Sequence, residues 1–248
     1  MLEVDRVEKS YKKVGLFTTE RKIVLKNVSL ECKNGECLGI IGESGSGKST
    51  LGRLMLGIEK PDCGAVLING MNIEDRRVRL GNISAVFQDY KSSINPFFTV
   101  EEAILEPLKN QNKSKKENKD KIVTLLNQVG LPSSYLNKYP HELSGGEIQR
   151  VCIARAISTE PKCIVLDEAI SSLDVSVQTQ VLELLKDLKR IYNMSYVFIT
   201  HDLQAAAYIC DRVIIFKDGR IEEIVEIEHL KDVKSVYARK LLQSLITF

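Results

Sequence analysis

The sequence predicts an α/β fold with a mostly parallel central sheet, on three observations. Four short apolar runs are unbroken rather than alternating, as expected of strands buried on both faces: CLGII (37–41), CIVLD (163–167), YVFIT (196–200) and RVIIF (212–216). Helical patterns fall between several of these runs, and such alternation is typical of parallel sheets. A glycine-rich loop follows the first run directly.

Further elements are predicted around this sheet. The segments LEVDRV (2–7), VLKNVSL (24–30) and GAVLING (64–70) resemble strands of a flanking antiparallel sheet. After Gln88 the chain becomes polar and largely helical, which predicts a helical subdomain at residues 89–157. Residues 1–88 and 158–248 then form the catalytic core, and the whole chain, 1–248, is one domain.

Composition is that of an ordinary globular protein. The 248 residues are 44% apolar and 27% charged, enough for one sizeable core. The formal charge of +2 gives no overall electrostatic reason to expect nucleic acid or an anionic membrane as a partner. Six lysines between Lys109 and Lys121 form either a docking patch or, as charge runs usually do, a solvated loop and helix entry.

Neither export nor metal binding through cysteine is indicated. The chain starts without the apolar core of a secretory signal, so we expect a cytoplasmic protein. The six cysteines contain no C-x-x-C pair, which argues against a zinc site and a disulfide framework. Cys37, Cys152 and Cys163 lie in apolar segments, where buried reduced thiols are expected.

The loop GESGSGKST, residues 42–50, fits the phosphate-binding pattern G-x-x-x-x-G-K-[ST]. It lies between a predicted strand and the predicted helix TLGRLMLGI, which is the context that this motif requires. Its glycines let backbone N–H groups turn toward phosphate oxygens at the positive end of the helix. Lys48 is predicted to bridge the β- and γ-phosphates, and the Ser49 hydroxyl to hold Mg²⁺. The sequence therefore predicts a P-loop NTPase core.

Two adjacent acids end the strand CIVLDE, although a buried strand seldom ends in paired charges without a reason. Asp167 suits a Mg²⁺ partner that acts through water, and Glu168 suits the base that polarises the attacking water. An exposed strand end followed by an acidic turn is the alternative, and the lysine-bearing loop weakens it.

Two more polar residues follow apolar strands. His201 comes just after YVFIT, so it should emerge at the same carboxyl edge, where it could sense a γ-phosphate and orient water. Gln88 follows the strand-like ISAVF and could reach Mg²⁺ or the nucleophilic water. Each residue alone could equally be structural.

A second glycine-bearing helix start occurs in LSGGE, residues 143–147. Ser144 and Glu147 have the spacing of a capping box, but two consecutive glycines exceed what a cap needs. They expose N–H groups that can bind an anion, whereas Lys48 already marks where this chain's own triphosphate lies. We therefore predict that Ser144, Gly145 and Gly146 close over a nucleotide held by another subunit.

Together these segments closely resemble the ATP-binding subunits of ABC transporters, over nearly the whole chain. In order, GESGSGKST is similar to the family's Walker A motif, Gln88 to its Q-loop, LSGGE to its signature, CIVLDE to its Walker B motif, SSLD (171–174) to its D-loop and His201 to its switch histidine.

The resemblance implies an ATPase with ATP and Mg²⁺ as cofactors. It implies a head-to-tail dimer in which each ATP lies between one subunit's Walker A motif and the other's signature, with Asp174 in the D-loop. Catalytic roles fall on Glu168, His201 and Gln88. Tyr11 resembles the ring that stacks on adenine, although VGLFTTERK lengthens the segment after it, and a surface tyrosine is the alternative.

The residues that these inferences assign to ligands fall into three sets. Those for ATP are Tyr11, Gly42, Glu43, Ser44, Gly45, Ser46, Gly47, Lys48, Ser49 and Thr50; those for the partner subunit's ATP are Ser144, Gly145, Gly146 and Glu147; those for Mg²⁺ are Ser49, Gln88 and Asp167.

Two segments are most similar to the importers of peptides, nickel and metal chelates: FQDYKSSINPFFTV (87–100) and YPHELSGGEIQR (139–150). The chain lacks the longer cysteine-bearing tail common in peptide importers, which favours nickel or a metal chelate. The resemblance implies a second, non-identical ATP-binding subunit, two membrane permeases, an extracellular substrate-binding protein and a place at the cytoplasmic face of the membrane. A soluble ABC-type ATPase of macromolecular assembly, such as iron–sulfur assembly, is the alternative.

Overall fold

The computed structural model describes residues 1–12, 20–89, 93–110 and 114–246. Its strands are β1 (Leu2–Lys12), β2 (Arg21–Cys32), β3 (Cys37–Ile41), β4 (Cys63–Ile68), β5 (Met71–Asn72), β6 (Ile83–Phe87), β7 (Cys163–Asp167), β8 (Ser195–Thr200), β9 (Arg212–Lys217) and β10 (Arg220–Glu226). Its α-helices are α1 (Lys48–Met55), α2 (Arg76–Arg79), α3 (Val100–Leu105), α4 (Lys115–Gln128), α5 (Gly145–Ile157), α6 (Val175–Tyr192), α7 (Leu203–Ile209) and α8 (Val236–Ile246).

The larger sheet has six strands in the order β10-β9-β3-β8-β7-β6. Its strands from β9 to β6 are parallel, which confirms the prediction from the four apolar runs. The edge strand β10 is antiparallel to β9, and the sequence analysis missed it. Its residues alternate between exposed and half-buried, so it lacks the unbroken apolar run by which the other strands were recognised.

The smaller sheet is antiparallel with the order β2-β1-β4-β5, as predicted. The predicted strand at 64–70 is two residues too long, because Asn69 and Gly70 adopt positive φ angles and turn the chain into β5. Helix α1 lies between the two sheets, with Leu51, Leu54 and Met55 fully buried in one apolar cluster that includes side chains of both. This packing determines the position of α1, the helix that begins at the glycine-rich loop.

Helices α3, α4 and α5 follow β6 and share an apolar cluster with the other face of the larger sheet. Each begins with a capping box, formed by Thr99 with Glu102, Ser114 with Glu117, and Ser144 with Glu147. The pair of Ser144 and Glu147 confirms the capping box predicted from LSGGE. The division at 89 and 157 into a core and a helical subdomain stays a prediction.

The lysine run contains the start of a helix, as predicted, while the docking patch stays untested. Helix α4 begins inside it, Lys115 and Lys116 are exposed, and the Lys121 ammonium pairs with the Glu160 carboxylate at 2.7 Å. Lys113 lies outside the described residues.

Strand register brings the predicted catalytic segments to one edge of the sheet. Phe87 is paired with Asp167, Asp167 with Ile199, and Ile41 with Thr200. The next residue along each strand therefore leaves the sheet at the same carboxyl edge, which confirms the prediction made for His201.

The predicted burial of Cys37, Cys152 and Cys163 is confirmed as well. Among the described residues, no helix is both long and apolar enough to cross a membrane.

Candidate active site

The glycine-rich loop joins β3 to α1 in a conformation that depends on its glycines. A Cβ atom added to Gly42 would lie 2.1 Å from the carbonyl oxygen of Phe216, so a larger residue would collide with the main chain of β9. Gly47 precedes α1 with a φ of 109°, where side chains are strained. The loop therefore presents backbone rather than side chains at the start of the helix.

The ammonium group of Lys48 lies inside this loop. Its Nζ donates to the carbonyl oxygens of Gly42 at 2.6 Å and of Glu43 at 2.9 Å. Burial lowers the pKa of Lys48, and the nearby carboxylates of Glu168, Asp167 and Glu43 oppose that shift. A cation held this way, beside the positive end of a helix, is suited to binding phosphate.

A cavity of about 500 Å³ opens beside Lys48. The described residues that line it are Val24, Ser44, Gly45, Gly47, Lys48, Ser49, Thr50, Arg53, Gln88, Glu168 and His201. The buried hydroxyl of Ser46 has no hydrogen-bond partner in the described part of the chain. Ser46 is not among the described lining residues, but the loop that carries it presents Gly45, Gly47 and Lys48 to the cavity, which suits an anionic ligand with many acceptor oxygens.

Oxygen ligands converge at one side of the cavity. The Ser49 hydroxyl donates to Oδ1 of Asp167 at 3.2 Å, and Gln88 lines the same cavity. Burial raises the pKa of Asp167, with the Ser49 hydrogen bond opposing it. Hydroxyl, amide and carboxylate oxygens in a partly desolvated site fit Mg²⁺, whose charge would favour the ionised carboxylate.

Glu168 and His201 form the next pair along the edge. The Nδ1 atom of His201 lies 3.0 Å from Oε1 and 2.8 Å from Oε2 of Glu168, whose side chain is only 15% exposed. Glu168 has a φ of 51°, which is uncommon for a residue with a side chain. The imidazole and the unusual backbone together orient this carboxylate toward the cavity.

Tyr11 is placed differently from the other residues assigned to ATP. Its hydroxyl donates to Glu59, whose other carboxylate oxygen accepts from Nε of Arg53 at 2.5 Å. Arg53 lines the cavity, but Tyr11 is not among the described lining residues. Stacking of Tyr11 on adenine therefore stays a prediction, while the sequence analysis missed the Glu59–Arg53 pair that connects it to the cavity.

Other residues of the loop contribute through their main chain or through local bonds. The Glu43 N–H donates to the hydroxyl of Tyr237 in α8 at 3.4 Å. The Thr50 hydroxyl accepts from Arg53 at 3.1 Å. These contacts tie the loop and its helix to neighbouring elements.

The signature segment forms a second helix start, away from this cavity. The Ser144 hydroxyl accepts from the Glu147 N–H at 3.4 Å, and the Ser144 N–H donates to Glu147 at 2.7 Å. Hydrogen bonds from the Tyr135 hydroxyl and from Ser144 lower the pKa of Glu147 to about 2. None of Ser144, Gly145, Gly146 and Glu147 is among the described residues that line the cavity.

Asp174 begins α6 at the end of the predicted D-loop. It is exposed, and its side chain makes no capping hydrogen bond to the helix. The first turn of α6 nevertheless lies close to the signature, because a Cβ atom on Gly146 would be 2.8 Å from Cγ1 of Val177.

Sequence reasoning missed Gln149, a fully buried glutamine in α5. Its Nε2 donates to the carbonyl oxygen of Ala169, the residue after Glu168, at 2.5 Å. A glutamine between the apolar residues Ile148 and Val151 was a usable signal, since an uncharged polar side chain at a core-facing helix position needs a partner.

Known proteins resemble this chain in sequence and in fold. The model of the ABC transporter family matches residues 25–171. The chain is 50% identical to the metal-staphylopine import system ATP-binding protein CntF of Staphylococcus aureus strain Mu50, over 100% of both chains. It is 41% identical to the oligopeptide transport ATP-binding protein AppF of Bacillus subtilis, over 94% of this chain and 74% of that one.

A solved structure gives the same result for the fold. The dimeric structure of the ABC transporter cassette MJ0796 superimposes with a TM-score of 0.81 and 32% identity, covering 92% of this chain and 99% of that one. The same cassette is also known in a post-hydrolysis state bound to ADP and Pi. Together with the loop of Lys48 and the edge that carries Asp167 and Glu168, these matches show that the chain belongs to the ABC transporter family of ATP-binding proteins.

Proposed function

We propose that this chain hydrolyses ATP to energise the import of a metal-chelate complex through partner permeases. The observation that carries the proposal is the convergence of Lys48, Glu168 and His201 on one cavity, with Asp167 hydrogen-bonded to the lining residue Ser49, in a chain that matches a metal-staphylopine importer subunit from end to end. Identity is 50% to the metal-staphylopine subunit and 41% to the oligopeptide subunit, which favours the metal chelate over a peptide.

The cavity supports the following assignment of roles. The loop N–H groups of residues 42–50 and the Lys48 ammonium bind the triphosphate. Ser49, Gln88 and Asp167 would hold Mg²⁺, which would neutralise charge on the triphosphate when bound. Glu168 accepts a proton from the attacking water, and His201 holds that carboxylate in place.

The signature segment completes the site of a second subunit. Ser144, Gly145, Gly146 and Glu147 lie outside this chain's own cavity, so their helix start is available to a nucleotide bound elsewhere. A head-to-tail pair then encloses two ATP molecules, and Asp174 lies beside the shared surface. ATP binding favours the closed pair, and loss of the γ-phosphate lets it reopen.

The partners follow from the importer assignment. They are a second, non-identical ATP-binding subunit, two membrane permeases and an extracellular substrate-binding protein. The chain would lie at the cytoplasmic face of the membrane and reach it through the permeases.

Uptake by cells tests the cargo. Cells that lack this chain should lose uptake of radioactive nickel supplied as its staphylopine complex and keep uptake of a labelled oligopeptide. The wild-type chain should restore uptake, and the Glu168→Gln chain should not. Loss of peptide uptake alone would assign the chain to peptide import instead.

Purification from native membranes in mild detergent tests the partners. Mass spectrometry should find two permeases and a second ATP-binding subunit in stoichiometric amounts. Purely soluble partners would contradict transport and favour an assembly ATPase.

A further inference from the structure

One buried polar side chain connects the signature helix to the hydrolytic carboxylate of the same chain. Gln149 is 0% exposed and lies in α5, little more than one turn after the cap at Ser144. Its Nε2 donates to the carbonyl oxygen of Ala169 at 2.5 Å, while its Oε1 is buried and has no hydrogen-bond partner among the described residues. Burying an amide with half of its hydrogen-bonding capacity unused is unfavourable, so stability alone does not explain a glutamine here.

The main chain that Gln149 holds is in an unusual conformation. Glu168 has a φ of 51°, a region that costs free energy for any residue with a Cβ and persists only where neighbours enforce it. The Glu168 N–H donates to Ile199 at 2.9 Å, and the Glu168 carbonyl accepts from the Ser171 hydroxyl at 2.9 Å. The Ser171 N–H also donates to the Glu168 carbonyl, at 3.2 Å, and the bond from Gln149 to Ala169 fixes the next carbonyl, so four hydrogen bonds hold two consecutive residues.

We propose that Gln149 is a positioning residue for ATP hydrolysis: it holds the backbone after Glu168 so that the carboxylate points at the attacking water. The inference rests on the proposed function of Glu168. Because Gln149 belongs to the helix that begins at Ser144, it also joins the segment facing the partner subunit's nucleotide to the carboxylate acting on this chain's own nucleotide.

The effect of losing this bond should appear in turnover rather than in nucleotide binding. Among the described residues, neither Lys48 nor the phosphate-binding loop hydrogen-bonds to Gln149, so the affinity for ATP should not depend on it. A carboxylate displaced from the attacking water loses rate, and a shift of about 1 Å can cost up to about a hundredfold.

The test compares Gln149→Met with Arg150→Met in the full chain. Methionine keeps the length of glutamine and removes both the donor to Ala169 and the unpartnered Oε1, so the two effects on stability oppose each other. Arg150 is the matched control, because its Nη1 donates to a different main-chain carbonyl, that of Val129, at 2.8 Å. Steady-state ATPase kinetics, nucleotide titration and thermal unfolding are measured for each variant.

We expect Gln149→Met to lower kcat by about tenfold to a hundredfold with an unchanged Kd for nucleotide, and Arg150→Met to keep kcat near that of the wild type. If Gln149→Met does not fold, Gln149→Leu serves instead, since leucine is also apolar and removes the same donor to Ala169, and it should lower kcat in the same way.

Two results overturn the inference while leaving the proposed function intact. One is a wild-type kcat in the folded Gln149→Met chain, or in Gln149→Leu where that variant is used. The other is an equal loss of kcat in Arg150→Met, which would indicate general loosening of α5. A wild-type chain that does not hydrolyse ATP overturns the proposed function together with the inference.

Discussion

At the scale of single residues, the chemistry depends on two neighbours with different surroundings. Asp167 ends β7 and accepts a hydrogen bond from the Ser49 hydroxyl, whereas Glu168 turns out of the strand and faces the imidazole of His201. Adjacent side chains of a strand point in opposite directions, but the φ of 51° at Glu168 redirects its carboxylate. Asp167 is therefore available to bind a metal ion, and Glu168 is available to accept a proton from the attacking water.

The first prediction concerns Glu168→Gln. Glutamine keeps the size of the side chain but cannot accept a proton from the attacking water, so kcat should fall by about a hundredfold or more. ATP binding should remain, because the phosphate-binding loop and Lys48 are unchanged. Steady-state ATPase kinetics and titration with a fluorescent ATP analogue measure the two quantities.

A glutamate elsewhere provides the control for this change. Glu160 also has a positive φ, 54°, and its carboxylate pairs with Lys121; neither residue is among the described residues that line the cavity. Glu160→Gln should keep the wild-type kcat. Normal turnover in Glu168→Gln would mean that Glu168 is not the group that accepts the proton from the attacking water.

At the scale of elements, the strands and the loop between β3 and α1 were predictable because each depends on a short local pattern. Unbroken apolar runs identified β3, β7, β8 and β9, and the parallel arrangement placed their carboxyl ends together. The edge strand β10 was not predicted, because its residues alternate between exposed and half-buried. Its pairing depends on β9, which no pattern within residues 220–226 reveals.

Contacts between distant segments were the part of the site that the sequence could not supply. The bond from Gln149 to Ala169 and the link from Tyr11 through Glu59 to Arg53 join residues whose spacing fits no motif. Such pairs are set by the packing of whole elements, so a single sequence gives the residue type but not its partner.

The second prediction concerns the cap of α5 and pH. The Tyr135 hydroxyl bond, with the bonds from Ser144, lowers the pKa of Glu147 from an ordinary 4.5 to about 2. A carboxylate with a lowered pKa stabilises the fold above pH 4.5, and this contribution is lost as the pH falls from about 4.5 to about 2. Tyr135→Phe should therefore lower the melting temperature at pH 7 and change it less at pH 2.

Thermal unfolding followed by circular dichroism at the two pH values tests this prediction. Glu147 is partly exposed, so the stability difference at pH 7 should be modest, about 1 kcal/mol or less. Tyr139→Phe, which alters a tyrosine close to the same helix, is the control and should show no such dependence on pH. An equal loss of stability at both pH values would mean that Tyr135 acts through packing rather than through Glu147.

At the scale of the whole molecule, the two helix starts that can bind anions lie at different sites. The start of α1 borders the cavity that holds Lys48, while the start of α5 does not contribute to it among the described residues. One chain therefore carries the phosphate-binding loop with its own cavity, and a second helix start, at Ser144, that does not border that cavity. The proposed head-to-tail pair of subunits would use both.

The third prediction tests this division with Ser144→Arg. The arginine side chain would occupy the second helix start, so we expect hydrolysis that depends on paired subunits to be lost. Nucleotide affinity of the isolated chain should stay near normal, because Lys48 and its loop are unchanged. ATPase kinetics at high protein concentration and nucleotide titration at low concentration separate the two effects.

Ser114→Arg is a closely matched control for this change. Ser114 caps α4 through the same reciprocal bonds, with its hydroxyl accepting from the Glu117 N–H at 3.2 Å and its own N–H donating to Glu117 at 2.8 Å. Both substitutions remove a helix cap at a cost of about 1 kcal/mol, but only Ser144 belongs to the signature. Loss of hydrolysis in Ser144→Arg alone therefore reflects the anion site at this helix start and not helix capping, whereas reduced nucleotide affinity of the isolated Ser144→Arg chain would mean that this site binds the chain's own ATP.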